Sequence, residues 1–343
     1  MRLSRTYSRG DRRERRAKRS KDLCELCVLC VRASVIVVAL IVGAATLARA
    51  QAPVTLQYHW KQGEAVTYKT SLKTDSTLSG MPGVADATLS QSMTQRIKLL
   101  PAAVAPDGTV TLQQTIEAVS VQMATPAGTA SFDSDDHAAG KDQASAALAQ
   151  VFGGVVGATL SVTMAPDGAI QRIDGVPRLL EKITQDLPRE RAAMQMVQAL
   201  RSVLSENAIR ASLEQSFPRL PPQPVTPGAT WTSQVSLGSD AVGKINGTQT
   251  FTLKRVESSV ATIDVALALK QESAPPMGPS GMVVKLDDAR GEGSLTFDIG
   301  PGRIRSASMK TDILSTMTAT GPDGRPASMK NTTKTSMTME EIR

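Results

Sequence analysis

The sequence predicts a mainly β protein: antiparallel curved sheets or half-barrels in two related halves, with a helical segment between them. Three observations lead there. Apolar and polar residues alternate along most of the chain, Pro/Gly turns punctuate the alternation, and one long stretch switches to helical spacing.

The alternation is explicit in several runs. Ile97 and Leu99 alternate with Arg96 and Lys98, and Leu160, Val162 and Met164 with Thr159, Ser161 and Thr163. Ile263, Val265, Leu267 and Leu269 alternate with Thr262, Asp264, Ala266 and Lys270, and Leu295, Phe297 and Ile299 with Ser294, Thr296 and Asp298. Side chains of a strand point alternately to opposite faces, so this period marks strands with one apolar and one wet face. Antiparallel pairing is the arrangement that tolerates such asymmetry. The turns fall between the runs: Pro106-Asp107-Gly108, Pro166-Asp167-Gly168, Pro301-Gly302 and Pro322-Asp323-Gly324. Proline presets one turn dihedral and glycine accepts a positive one.

From Pro177 to Phe217 the apolar spacing is helical. Leu180, Ile183 and Leu187 form one stripe, Ala193, Met196 or Val197, Leu200 and Val203 or Leu204 the next, and Ile209, Leu213 and Phe217 a third. Ser205 is placed to cap a helix N-terminus, and a shorter helix is expected over Asp142–Phe152. The prolines at 218, 221, 222, 224 and 227 then suit a stiff connector.

The halves echo each other. Gln62-Gly63-Glu64-Ala65-Val66-Thr67-Tyr68 opens one and Pro227-Gly228-Ala229-Thr230-Trp231 the other; in each, comparable strands follow in order. The expected organisation is a signal peptide over 1–50, a β-rich half over 51–176, helices over 177–217, a Pro-rich linker over 218–228 and a second β-rich half over 229–343.

The charge is unevenly distributed. The chain carries 39 Lys/Arg and 32 Asp/Glu, yet residues 1–50 hold twelve of the bases and four of the acids. The remainder has 27 basic and 28 acidic side chains, so a nucleic-acid partner is not expected. The basic run Arg12–Lys21, the apolar stretch Ala33–Leu47 and the small residues of Ala48-Arg49-Ala50 have the three parts of an export signal. The stretch before the apolar core is long, and translation starting at Val28 or Val31 would give it ordinary proportions. The expected location is periplasmic or secreted, with membrane contact only through the signal. Cys24, Cys27 and Cys30 all precede the apolar stretch, and with no fourth ligand near them a metal site is disfavoured. No cofactor is expected.

Candidate sites are few. Asp133, Asp135, Asp136 and His137 offer oxygen and imidazole ligands, and the D-x-D opening is superficially that of a calcium loop. The loop pattern then fails at its Gly and Glu positions, so a solvated acidic loop is preferred. Neither histidine, His59 nor His137, sits in a recognisable hydrolase setting, and no catalytic residue is assigned. In Tyr58-His59-Trp60 the two aromatics are expected to face the core and the histidine solvent.

The opening Lys61-Gln62-Gly63-Glu64 with Tyr68, the step Phe132-Asp133-Ser134, and Ile173-Asp174-Gly175 ahead of a helix resemble a family of exported bacterial proteins, domain of unknown function 6263. The likeness covers most of 54–340 through short motifs. It implies a secreted or lipid-anchored envelope protein, although here no cysteine follows the leader. It implies no functional residues.

The resulting expectation is an exported cell-envelope protein in a binding or structural role rather than an enzyme. Its partner would be a lipid, held in a groove between sheet and helices, or another envelope protein. The alternative is a hydrolase of envelope polymers using paired carboxylates.

Overall fold

The computed structural model describes residues 52–80, 85–136, 142–184, 204–239, 243–273, 282–320 and 326–342. The chain from Pro53 onward forms one compact unit. Its described elements are β1 (Val66–Ser79), β2 (Ala87–Val104), β3 (Val110–Thr125), β4 (Gly128–Asp133), α1 (Gln143–Gly153), β5 (Thr159–Met164), β6 (Ile170–Asp174), α2 (Val176–Thr184), α3 (Glu206–Ser216), β7 (Thr230–Ser239), β8 (Gly243–Glu257), β9 (Val260–Gln271), β10 (Val283–Asp298), β11 (Arg303–Thr320) and β12 (Pro326–Ile342).

The twelve strands form one antiparallel sheet in the order β6-β5-β3-β2-β1-β12-β11-β10-β9-β8-β7. β4 pairs with β3 beyond the stretch that β5 uses, so two short strands share one edge. The expectation of more than one sheet is corrected: β1 lies between β2 and β12, with Thr67 opposite Ile342, and this pairing makes the strands continuous.

The helices lie at the flanks of this order. α1 packs on β3 and β4, α2 on β5, and α3 on both β6 and β7. Those last two strands are the opposite ends of the sheet. An eleven-residue helix is only about 16 Å long, so the sheet is rolled until its two edges flank α3. Arg210 of α3 donates to the Ile170 carbonyl of β6, and the Trp231 indole of β7 donates to the Arg219 carbonyl just beyond α3.

Local chemistry sets the helix starts. The Asp142 side chain accepts from Ser145 N at 2.8 Å and Ser205 Oγ from Ala208 N at 3.3 Å, each satisfying an amide that the helix itself cannot. In α2 Val176, Leu179 and Ile183 are buried; of the expected stripe, Ile183 is buried and Leu180 is partly buried against the core. Leu213 and Phe217 are buried as their spacing predicts. The middle stripe, Ala193 to Val203, and Leu187 lie outside the described residues.

The core occupies one end of the rolled sheet, where Val66, Tyr68, Leu99, Leu253, Ile263, Phe297 and Ile304 point inward. The segment carrying Leu56, Tyr58 and Trp60 crosses it, and His59 between them is exposed, as the alternation predicts. Tyr58 ties four parts together. Its N–H donates to Pro166 O at 2.8 Å and its hydroxyl to Pro218 O at 3.1 Å. Its ring meets Phe217 and Phe297 edge-on, with centroids 6.1 and 5.6 Å apart. Gly168, in the turn between β5 and β6, has φ 88°, and a Cβ there would strike Pro218 O and the Tyr58 ring. A side chain is excluded on both counts.

Tyr68 is likewise buried, and its hydroxyl donates to Ile304 O at 2.8 Å. Burial pushes the pKa of both phenols above the ordinary value of 10.0; for Tyr68 the Glu341 carboxylate adds to the rise and Arg303 opposes it. The folded state therefore keeps protons that the unfolded chain loses above pH 10, and the associated stability, complete below that pH, drains away as pH rises through the alkaline range. Thermal melts between pH 9 and 11.5 are expected to show this loss, and Tyr68→Phe is expected to reduce its slope. Tyr58→Ala is expected to cost about 3–5 kcal/mol in urea denaturation, against about 1 kcal/mol for Tyr58→Phe.

Candidate ligand-binding face

A sheet this wide can segregate its two faces completely, and here it does. From Thr70 of β1 and Met339 of β12 outward from the core end, inward positions of β1, β2 and β7–β12 carry no charge. The charged residues Lys69, Lys73, Asp264, Glu292, Lys310 and Lys334 occupy intervening positions. The strand register turns this into continuous rows. One inward row runs Val121, Met93, Leu72, Met337, Met309, Gly293, Val265, Phe251, Trp231, apolar across nine strands. Thr74, Thr335 and Thr311 stand in the next row outward from the core, between Gln91 and Gly291.

Burial along the apolar row is uneven. Val121, Val265 and Phe251 are buried, whereas Met93, Leu72, Met337 and Met309 on the four central strands are half-buried. The described helices pack on β3 to β7 and leave those four strands to one another. Methionine is unbranched and polarisable, and a cluster of three beside a leucine makes an adaptable apolar floor. Gly293 breaks the row for a steric reason: a Cβ there would run into the backbone of Ser308 and Met309. The β11 backbone approaches so closely there that only glycine fits.

The opposite face is built differently. Two rows of it, including Thr252, Ser294, Ser308 and Thr338, then Ala266, Glu292, Lys310 and Ser336, line a trough of about 600 Å³. Thr296 and Ser306 exchange a hydroxyl hydrogen bond at 2.8 Å beside it, and Lys254 holds Asp264 at 3.1 Å. This is the chemistry of a solvated surface.

A third feature is a cleft of about 410 Å³ between α3, the Pro-rich segment and β7, lined by Asp167, Glu214, Arg219, Leu220, Pro222 and the β7 residues from Trp231 to Gln234. Arg219 and Asp167 pair there at 2.8 Å.

The expected metal candidates are placed differently. Asp133 ends β4, and its Oδ1 accepts from Asp135 N at 2.9 Å, a local turn. Asp135 pairs with Arg96 at 3.3 Å, while Glu117 approaches the same guanidinium at 3.5 Å. His137 lies outside the described residues, as do Cys24, Cys27 and Cys30. Among the described residues no three His, Cys, Asp or Glu side chains converge as a metal site, and no helix is long and apolar enough to cross a membrane.

A family model for proteins of unknown function matches residues 107–302, more than half of the chain. The chain belongs to that family, DUF6263. No curated protein matches this family member. Among solved structures, lipovitellin, in a structure concerned with lipid–protein interactions, is similar at 9% identity and a TM-score of 0.46; the match covers 83% of this chain and 26% of that one. The DUF6263 chain thus spans about a quarter of lipovitellin's length. An outer-membrane channel of Pseudomonas putida F1 is similar at 10% identity and a TM-score of 0.23, over 83% and 97% of the two chains. DynF of Micromonospora chersina is similar at 10% identity and a TM-score of 0.18, over 84% and 85%. Likenesses at this level specify neither a shared fold nor a shared activity.

The acidic turn after β4 has a direct check. Titrating calcium into the protein is expected to give no saturable heat, and Asp135→Asn is expected to cost less than about 1 kcal/mol, the range of exposed pairs.

Proposed function

We propose that this DUF6263 protein is an exported, non-enzymatic cell-envelope protein that holds an apolar ligand, a lipid or acyl chain, on its uncharged face. The observation that carries the reading is the half-buried patch of Met93, Leu72, Met337 and Met309, continuous with buried apolar side chains on both sides. Apolar area left in water costs about 25 cal/mol per Å². A contiguous patch within an uncharged face is therefore a surface that gains by being covered. The hydroxyls of the neighbouring row suit the polar end of an amphiphile.

Export rests on the leader-like 1–50 segment and on the near neutrality of the rest. On this reading the working protein begins near Gln51 and acts in the periplasm or outside the cell. The strand order also supports two related halves: β1-β2-β3-β5-β6 and β7-β8-β9-β10-β11 succeed each other with the same neighbours, β12 standing between.

Organic extraction of gently purified protein, read by mass spectrometry, is expected to yield a reproducible stoichiometric lipid. Met309→Asp is expected to lose it, and Thr338→Asp on the opposite face to retain it, with unchanged circular dichroism in both. Extracts free of lipid from the native protein, or equal yields from both variants, refute the reading.

A further inference from the structure

The two edges of the sheet are finished in different ways. β6 is five residues long, its register with β5 is shifted once, and Arg210 occupies the carbonyl of Ile170. Shortness, irregularity and a covering side chain are the means by which an edge is kept from pairing. β7 has none of them over Thr230–Ser239. Its ten residues, TWTSQVSLGS, contain no charge and no proline, and its register with β8 runs unshifted from Thr230 to Ser239. Its backbone groups bond to β8, and the alternate N–H and C=O groups facing away from β8 have no partner among the described residues.

That edge borders the cleft between α3 and the Pro-rich segment. The charges in the cleft do not cancel. Arg219 is neutralised by Asp167, and the Glu214 carboxylate remains without a cation among the described residues. Trp231, one ring face of which stacks on Phe251 at 5.5 Å, lines the same cleft as that carboxylate. A carboxylate and an indole together favour an ammonium or guanidinium group.

We propose that β7 and this cleft are a docking site for an extended segment of a partner polypeptide, which adds to the sheet as a further strand and places a Lys or Arg side chain between Glu214 and Trp231. Backbone pairing would hold the segment, and the cleft would select the basic residue. The cleft shares only Trp231, the last member of the apolar row, with that face and none of the central methionines, so it stands whether or not a lipid binds on the methionine patch.

The test uses the purified full chain and two synthetic octapeptides, one alternating Lys with Val and one alternating Glu with Val, read by indole fluorescence and by isothermal titration. Saturable binding of the Lys peptide alone is expected. Glu214→Gln is expected to weaken it about tenfold, and Glu292→Gln, on the distant trough, to leave it unchanged. Gln234→Pro is expected to abolish it by disrupting the edge; because proline also threatens the fold, Glu214→Gln is the deciding variant. No binding of the Lys peptide, equal binding of the Glu peptide, or equal losses in Glu214→Gln and Glu292→Gln would overturn the proposal.

Discussion

The rolled sheet depends on how its two far edges are held together, and that task converges on Tyr58. A wide antiparallel sheet has no intrinsic reason to bring its first and last strands within reach of one short helix. Here α3 and the prolines after it bridge them, and Tyr58 fastens that bridge from within. Its hydroxyl takes a carbonyl that proline-rich backbone would otherwise bury unpaired, and its ring joins aromatics from α3's end and from β10. Val54 and Val225 exchange backbone hydrogen bonds at 2.9 Å in both directions nearby, and His59 N donates to Gly302 O. The segment from 54 to 60 therefore acts as a clasp, which explains why the buried side chains concentrate at one end of strands that run much further.

Past that end the sheet is stabilised mainly by its own ladders and by the separation of its faces. Because side chains alternate with a period of two, a slip of one residue in any pairing would send lysines inward and methionines outward. The irregularities that exist fall where they leave the inward row intact. The shift near Asp287 in β10 keeps that residue with Thr316 on the charged side, and Leu286 still faces Ser315. Both register shifts between β2 and β3, at Arg96/Ile97 and at Pro101/Ala103, lie on the core side of the Met93–Val121 pair.

Much of this was legible in the sequence because it is local. The alternating runs, the Pro-Asp-Gly turns at 106–108 and 166–168, the cap Ser205, the helix starting near Asp142, and the inward Tyr58 and Trp60 each depend on a handful of neighbours. What could not be read is what depends on pairing between distant segments. Nothing near Thr67 announces Ile342 as its partner, so one sheet was expected as several. The apolar row was equally hidden. Leu72 stands alone among Thr70, Thr74 and Ser76, and Met309 between Ser308 and Lys310, so no single strand looks like a binding surface. Only eight registers taken together place these residues side by side. The acidic cluster was preferred as a solvated loop, but its partner was out of reach of local reading, because Arg96, which engages Asp135, lies on a strand 39 positions earlier.

The placement of β12 has a consequence for how the molecule is made. It fills the gap between β1 and β11, strands separated by more than two hundred residues of chain, and it is the last to be synthesised. Until it arrives both of its neighbours present long bare flanks, and the sheet remains in two disconnected pieces. Closure of the sheet must therefore wait for β12, whatever order the earlier strands pair in.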